Sequence, residues 1–194
     1  MDEADDSEGP PGRGSAASIP AASTSGAPGA GRGGWIRGLL RDVLVVAVIF
    51  LAVRAYQQRG LPAGPAPELS GVGVHGQALS LADYRGKPVL LHFWATWCGV
   101  CKTEAPNISA VAEDLPVLTV ASHSGSDDEV RAYMREQGLS WPTLSDPRSE
   151  VARRFGVTAF PTTFVLDADG RIRHAEVGYT TTLGLRARMW LASL

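Results

Sequence analysis

Cys98 and Cys101 are the only two cysteines of a 194-residue chain, and they sit two residues apart as Cys98-Gly99-Val100-Cys101. Two thiols at this spacing can close one exchangeable disulfide or hold one soft metal ion. A structural zinc site wants four ligands, and two cysteines fall short of that. The flanks favour redox chemistry. An apolar run, Val89-Leu90-Leu91-His92-Phe93-Trp94, leads into the pair and a helical pattern leads out of it, so the pair lies at a strand-to-helix corner. A thiolate, not a thiol, attacks a disulfide. The free N–H groups and dipole of a helix start stabilise a thiolate there. Cys98 at that end is therefore the expected nucleophile, and Cys101, one turn on, the resolving thiol that releases a bound partner. Trp97 beside them is expected to be partly exposed.

Neighbouring residues would tune this chemistry. Cys101, Glu104, Ala105, Ile108, Val111, Ala112 and Leu115 recur at the spacing of one helix face. Glu104 is the misfit on that apolar face. Buried there, its pKa would rise and it would exchange a proton with Cys101; at the helix start it would instead snorkel to water. Pro106 should kink the same helix. His92 shares a strand face with Leu90 and Trp94, either as a satisfied core histidine or as a thiolate modulator beneath the corner. Pro161, ahead of a strand at 163–166, is either an edge-strand start or, with a cis Phe160–Pro161 bond, the holder of a backbone edge on which a partner adds a strand. His75, His123 and His174 match no metal-ligand spacing. Trp141, Tyr133 and Met134 read as core, and Arg153, Arg154, Arg186 and Arg188 as solvated helix faces.

The elements that position these residues follow from composition and periodicity. A net charge of −2 gives no basic surface for nucleic acid. Residues 1–34, rich in Gly, Ala, Ser and Pro, read as a disordered tail. Residues 35–58 centre on an 11-residue uncharged run, 43–53, short of the roughly 20 apolar residues of a full span. With Arg37 and Arg41 snorkelling, the segment reads as a transmembrane signal anchor with its N-terminus in the cytoplasm. Residues 59–70 are a Pro/Gly/Ala linker, and 71–194 form the catalytic domain. Its expected elements are a hairpin about His75-Gly76, a strand at 89–94, a helix from 98 or 99 to about 114 and a strand at 115–121. After these come a helix from a capping box at Ser126 and Glu129 to Gln137, a short strand at 141–144 and a short helix at 149–155. A hairpin about 167–170 and a last helix at 181–193 complete it.

The strand ending Phe93-Trp94-Ala95-Thr96-Trp97, the Cys98-Gly99-Val100-Cys101 pair, Pro106 and Pro161-Thr162 resemble the thioredoxin superfamily. The extra N-terminal hairpin, residues 81–88 and Glu104 resemble its membrane-anchored TlpA/ResA-like branch, and the Gly-Val dipeptide is similar to that of ScsD-like protein disulfide oxidoreductases. The resemblance implies an α/β thioredoxin-like fold, with a central mixed β-sheet flanked by helices, an extra β-hairpin and a preceding single membrane helix. It also implies a redox-active Cys98–Cys101 disulfide, a cis Pro161 and an active-site Glu104. Thioredoxin itself has Asp where His92 stands and Pro where Val100 stands, so its general reductant role does not carry over. Cytochrome c maturation thioredoxins usually follow the cis-proline with an acidic residue, where Thr162 stands here.

The expected function is a thiol–disulfide oxidoreductase of the bacterial inner membrane. Its domain would be periplasmic, it would carry no bound cofactor, and protein thiols and disulfides would be its substrates. A DsbD/CcdA-type membrane protein would be its electron donor. The alternatives are a cytochrome c maturation-type thiol reductase of apocytochrome and a copper-binding module using the same cysteines.

Overall fold

A computed structural model describes residues 32–57 and 61–194. The tail expected over 1–34 lies almost wholly outside the described residues. The chain divides into two units, residues 1–44 and 45–194. In the first, helix α1 (Arg32–Gln57) begins, and Leu39, Leu40, Val43 and Leu44 on it are exposed. In the second, α1 ends, with Val45, Val46, Val48, Ile49 and Val53 also exposed. The helix thus covers nearly all of the segment expected to anchor the chain. Yet among the described residues no helix is long and apolar enough to cross a membrane. The physical reason is the shortness of the uncharged run 43–53, which Asp42 and Arg54 bound.

From residue 61 the chain builds a mixed sheet. Its strands are β1 (Gly64–Pro65), β4 (Val89–Trp94), β5 (Val117–Ser122), β6 (Thr143–Asp146), β7 (Thr162–Leu166) and β8 (Arg171–Val177), in the order β1-β8-β7-β4-β5-β6. β4, β5 and β6 run parallel, while β7 pairs antiparallel with β4 and β8 with β7. A separate hairpin, β2 (Ser70–Val72) with β3 (Ala78–Ser80), turns at His75-Gly76, where Gly76 supplies the positive φ. A 3-10 turn (Leu81–Tyr84) follows it. Within the stretch read as a linker, Gly64–Pro65 pairs with Arg171 and Ile172, and Leu69 is buried. No local pattern marks so short a strand.

Every residue of β4 and β5 is buried, as strands covered on both faces must be. On one face Leu90, Trp94 and Val165 pack with Ile108 and Val111 of α2 (Gly99–Ala112), Val130 and Met134 of α3 (Asp127–Glu136), and Leu185 and Met189 of α5 (Thr182–Leu191). On the other, Leu91, Phe93, Leu118, Val120 and Phe164 pack with Ala152 of α4 (Glu150–Arg154) and Phe155. Three rings, Phe93, Phe155 and Phe164, meet there with centroids 5.3 to 5.8 Å apart, a range in which tilted and edge-on pairs are favourable. The expected capping box is present, with Glu129 N–H donating to Ser126 Oγ and Ser126 N–H to the Glu129 carboxylate. Two arginines expected as solvated are tied down. Arg186 makes a two-pronged ion pair with Asp114, and Arg188 pairs with Glu176.

Candidate active site

The site forms where β4 ends. A strand buried along its whole length stops at Trp94, and α2 starts five residues later. Cys98 is the N-cap of α2, with Cys101 in its first turn, so sulfur chemistry falls on a helix N-terminus. The two are joined in a disulfide, with Cα atoms 5.2 Å apart. The backbone N–H of Cys101 donates to Cys98 Sγ at 3.1 Å, leaving one oriented donor for any negative charge that develops on that sulfur. Both sulfur residues are nearly covered, Cys98 at 5% exposed and Cys101 at 4%. Their neighbours are not: Trp97 is 64% exposed and Val100 47%. A partner therefore meets an apolar rim before it meets sulfur.

Trp97 is held in place. Its indole N–H donates to the His123 carbonyl at 2.9 Å, and its ring meets Phe160 edge-on. His123 has φ of 50°, and the loop it belongs to also holds the corner through Thr96 N–H to Ser124 Oγ at 3.1 Å. Phe160–Pro161 is a cis peptide bond, and Pro161 is buried.

Glu104 is fully buried one turn after Cys101. One carboxyl oxygen accepts the Thr180 backbone N–H at 2.8 Å, and the other has no hydrogen-bond partner. Burial pushes its pKa up to about 7, against the smaller opposing pull of the Thr180 N–H. The alternative of a glutamate snorkelling to water does not hold. Pro106 sits inside α2, where it deprives the Lys102 carbonyl of its helical donor.

His92 is buried, with Nδ1 2.9 Å from Thr163 Oγ1 and the ring edge-on to Trp141. It lines, with Cys101, Trp94 and Trp141, a cavity of about 10 Å³ beneath the corner. Burial lowers its pKa to about 3, so the ring is neutral. The structure thus brings together Cys98, Cys101, Glu104 and His92, with Trp97 and Pro161 at the rim. Among the described residues no cluster of three or more His, Cys, Asp or Glu is placed to hold a metal. Sequence reasoning missed Thr180, Asn107 and the 122–124 loop, and it named Phe160 for its bond to Pro161 but not for its ring contact with Trp97. Thr180 acts through its backbone, which no side-chain pattern reports. Asn107, a residue that competes with helix backbone from mid-helix, was the available signal.

Residues 62–175 match the AhpC/TSA family. The chain is 34% identical over 156 residues to the thioredoxin-like protein YneN of Bacillus subtilis, covering 76% of this chain and 91% of that one. It is 32% identical over 120 residues to the thiol-disulfide oxidoreductase ResA of Geobacillus thermodenitrificans, covering 60% and 69%. A thiol:disulfide interchange protein of the thioredoxin family from Chlorobium tepidum superposes with a TM-score of 0.59 at 30% identity, covering 68% of this chain and 97% of that one. The chain belongs to the AhpC/TSA family, with the thioredoxin-like fold and TlpA/ResA-like relatives expected from its residues.

The two buried groups make opposite demands on stability. Glu104 has its pKa raised from 4.5 to about 7, so the folded state holds a proton that the unfolded chain has lost, and Glu104 costs stability as pH rises across that window. His92 has its pKa lowered from 6.5 to about 3, so it costs stability as pH falls through that window. Relative to the parent chain, Glu104→Gln should therefore gain stability between pH 4.5 and 7.5, by up to about 3 kcal/mol in urea unfolding. His92→Gln should gain on the acid side. An unchanged difference across pH 4.5–7.5 for Glu104→Gln would place that carboxyl in water.

Proposed function

We propose that this member of the AhpC/TSA family is a protein thiol–disulfide oxidoreductase in which Cys98 attacks and Cys101 resolves. The observation that carries the assignment is the position of Cys98 as the cap of α2, its sulfur accepting the Cys101 N–H. In the reduced protein the Cys98 thiolate attacks one sulfur of a partner disulfide. A mixed disulfide forms and the partner's other sulfur leaves as a thiolate. Cys101 then gives up its proton, its thiolate attacks Cys98 Sγ, and the partner departs with its second sulfur reduced. The Cys98–Cys101 disulfide remains, and two electrons have passed to the partner. Run in reverse, the same steps oxidise a dithiol.

Glu104 is the group that takes the Cys101 proton. It lies one turn away on the same helix and titrates at about 7, where a carboxyl both accepts and returns a proton at neutral pH. Resolution should speed up as pH rises through that value. His92, neutral and tied to Thr163, shapes the floor beneath Cys101. Trp97, Val100 and Phe160 receive the partner's apolar side chains, while the backbone just ahead of the cis Phe160–Pro161 bond offers it pairing.

The second part of the reading places the domain (71–194) on the periplasmic side of the inner membrane, held there by α1 with its N-terminus in the cytoplasm. The exposed apolar residues of the uncharged run 43–53 of α1 support it, since exposed apolar helix surface favours a non-aqueous surround. A membrane protein of the DsbD/CcdA type would then supply electrons.

Cys101→Ser should accumulate mixed disulfides with partner proteins, visible as dithiothreitol-sensitive bands on non-reducing gels, and Cys98→Ser should accumulate none. A copper module would show neither and would lose copper with either change. The full chain should pellet with membranes and resist sodium carbonate extraction; release by carbonate would contradict the single-pass placement.

A further inference from the structure

The loop between β8 and α5 joins three parts of the site. Gly178 N–H donates to the Pro161 carbonyl at 2.8 Å, and Thr180 N–H donates to Glu104 at 2.8 Å. The third tie is Asn107, one turn after Glu104 on α2. Its Nδ2 donates to Tyr179 Oη and to the Thr180 carbonyl, both at 3.0 Å, and its Oδ1 accepts from Thr182 Oγ1 at 3.0 Å. Every polar atom of the Asn107 side chain is thus spent on Tyr179 and Thr180 of this loop and on Thr182, the first residue of α5. Thr180 is held at both of its backbone groups: its carbonyl accepts from Asn107 and its N–H donates to Glu104.

We propose that Asn107 is a positioning residue that aims the Thr180 N–H at Glu104 and thereby holds down the proton affinity of that buried carboxyl. The inference deepens the proton-transfer role given to Glu104 above and rests on it. The chemistry is specific. The Thr180 N–H is the only hydrogen-bond donor to Glu104 among the described residues, and its other carboxyl oxygen has no partner. Nothing else nearby offsets the burial. On α2 the neighbouring titratable groups are Cys101, closed in the disulfide, and the exposed Lys102, whose ammonium lies over the Tyr133 ring. On the loop the titratable side chain is Tyr179, held by Asn107. On α5, Arg186 and Arg188 are engaged by Asp114 and Glu176. With no cation facing it among the described residues, Glu104 depends on a single backbone donor, and that donor depends on the loop staying where Asn107 holds it. Without Asn107 the loop retains its tie to Pro161 but loses its grip on the Thr180 peptide. The carboxyl stays covered and loses its donor.

The test is the Glu104 side-chain carboxyl titration, followed by carbon-13 NMR on the full chain in its disulfide form. In the parent chain the midpoint is expected near pH 7. In Asn107→Ala it should rise by roughly one to two units, the worth of one hydrogen bond to a carboxylate. Thr182→Val, which removes one of the Asn107 contacts and leaves its two donated bonds, should give a smaller rise and serves if Asn107→Ala does not fold. A parent midpoint near 4.5 would overturn the Glu104 assignment together with this inference. A parent midpoint near 7 that stays put or falls in both variants, with only melting temperature reduced, would leave Glu104 standing and overturn the role of Asn107.

Discussion

The hydrogen bond from Cys101 N–H to Cys98 Sγ is the contact on which the site depends. It exists because a strand buried on both faces delivers the chain directly into a helix start, and the first turn of a helix has N–H groups with no internal partner. A sulfur placed at the cap is one of the few groups that can use such a donor in either redox state. As a thiolate it gains a charge-assisted bond and the favourable end of the helix dipole. The sheet order keeps this corner at the centre of the fold, with β4 flanked by β5 on one side and β7, which carries the cis-proline loop, on the other.

Around that contact the fold tolerates two buried ionisable groups. Glu104 and His92 flank Cys101 from the helix and from the strand, and each is held neutral over part of the pH range by the same burial that protects the disulfide. Among the described residues neither has a charged partner, so neither is a salt bridge in the making. Glu104 is met by a backbone N–H and His92 by a threonine hydroxyl. Groups of this kind cost stability, and they are retained at sites where a proton has to move. The carboxyl, poised near neutrality, fits that role. The histidine, far below it, fits the role of a neutral polar wall.

Much of this was readable from local sequence. The apolar run at 89–94 is the central strand, and the Ser126–Glu129 capping box forms as spelled. Glu104 stood out because a carboxylate interrupted an otherwise apolar helical face, and His92 because it interrupted a buried strand. The residues that were not legible act across long separations. Thr180 meets Glu104 76 residues away through its backbone, and Asn107 meets Thr180 at a separation of 73. The His123 carbonyl that holds Trp97 depends on a left-handed backbone turn, a conformation that favours glycine and that histidine does not announce. The strand Gly64–Pro65 is two residues long and made of residues that disfavour strands, so only the sheet edge it meets defines it. Helix α1 was legible in position, while its short uncharged run set a limit on its span that periodicity does not override.

The central claim is that Cys98 and Cys101 cycle as one two-electron couple. Equilibration of the protein in graded glutathione buffers, with acid quenching, thiol alkylation and intact-mass readout, measures this directly. The account predicts a single reversible transition between a fully disulfide-bonded and a fully dithiol form, with about 30 mV per tenfold change in their ratio. Loss of reversibility, or a stable population with one cysteine free and the other bound to glutathione, would contradict it.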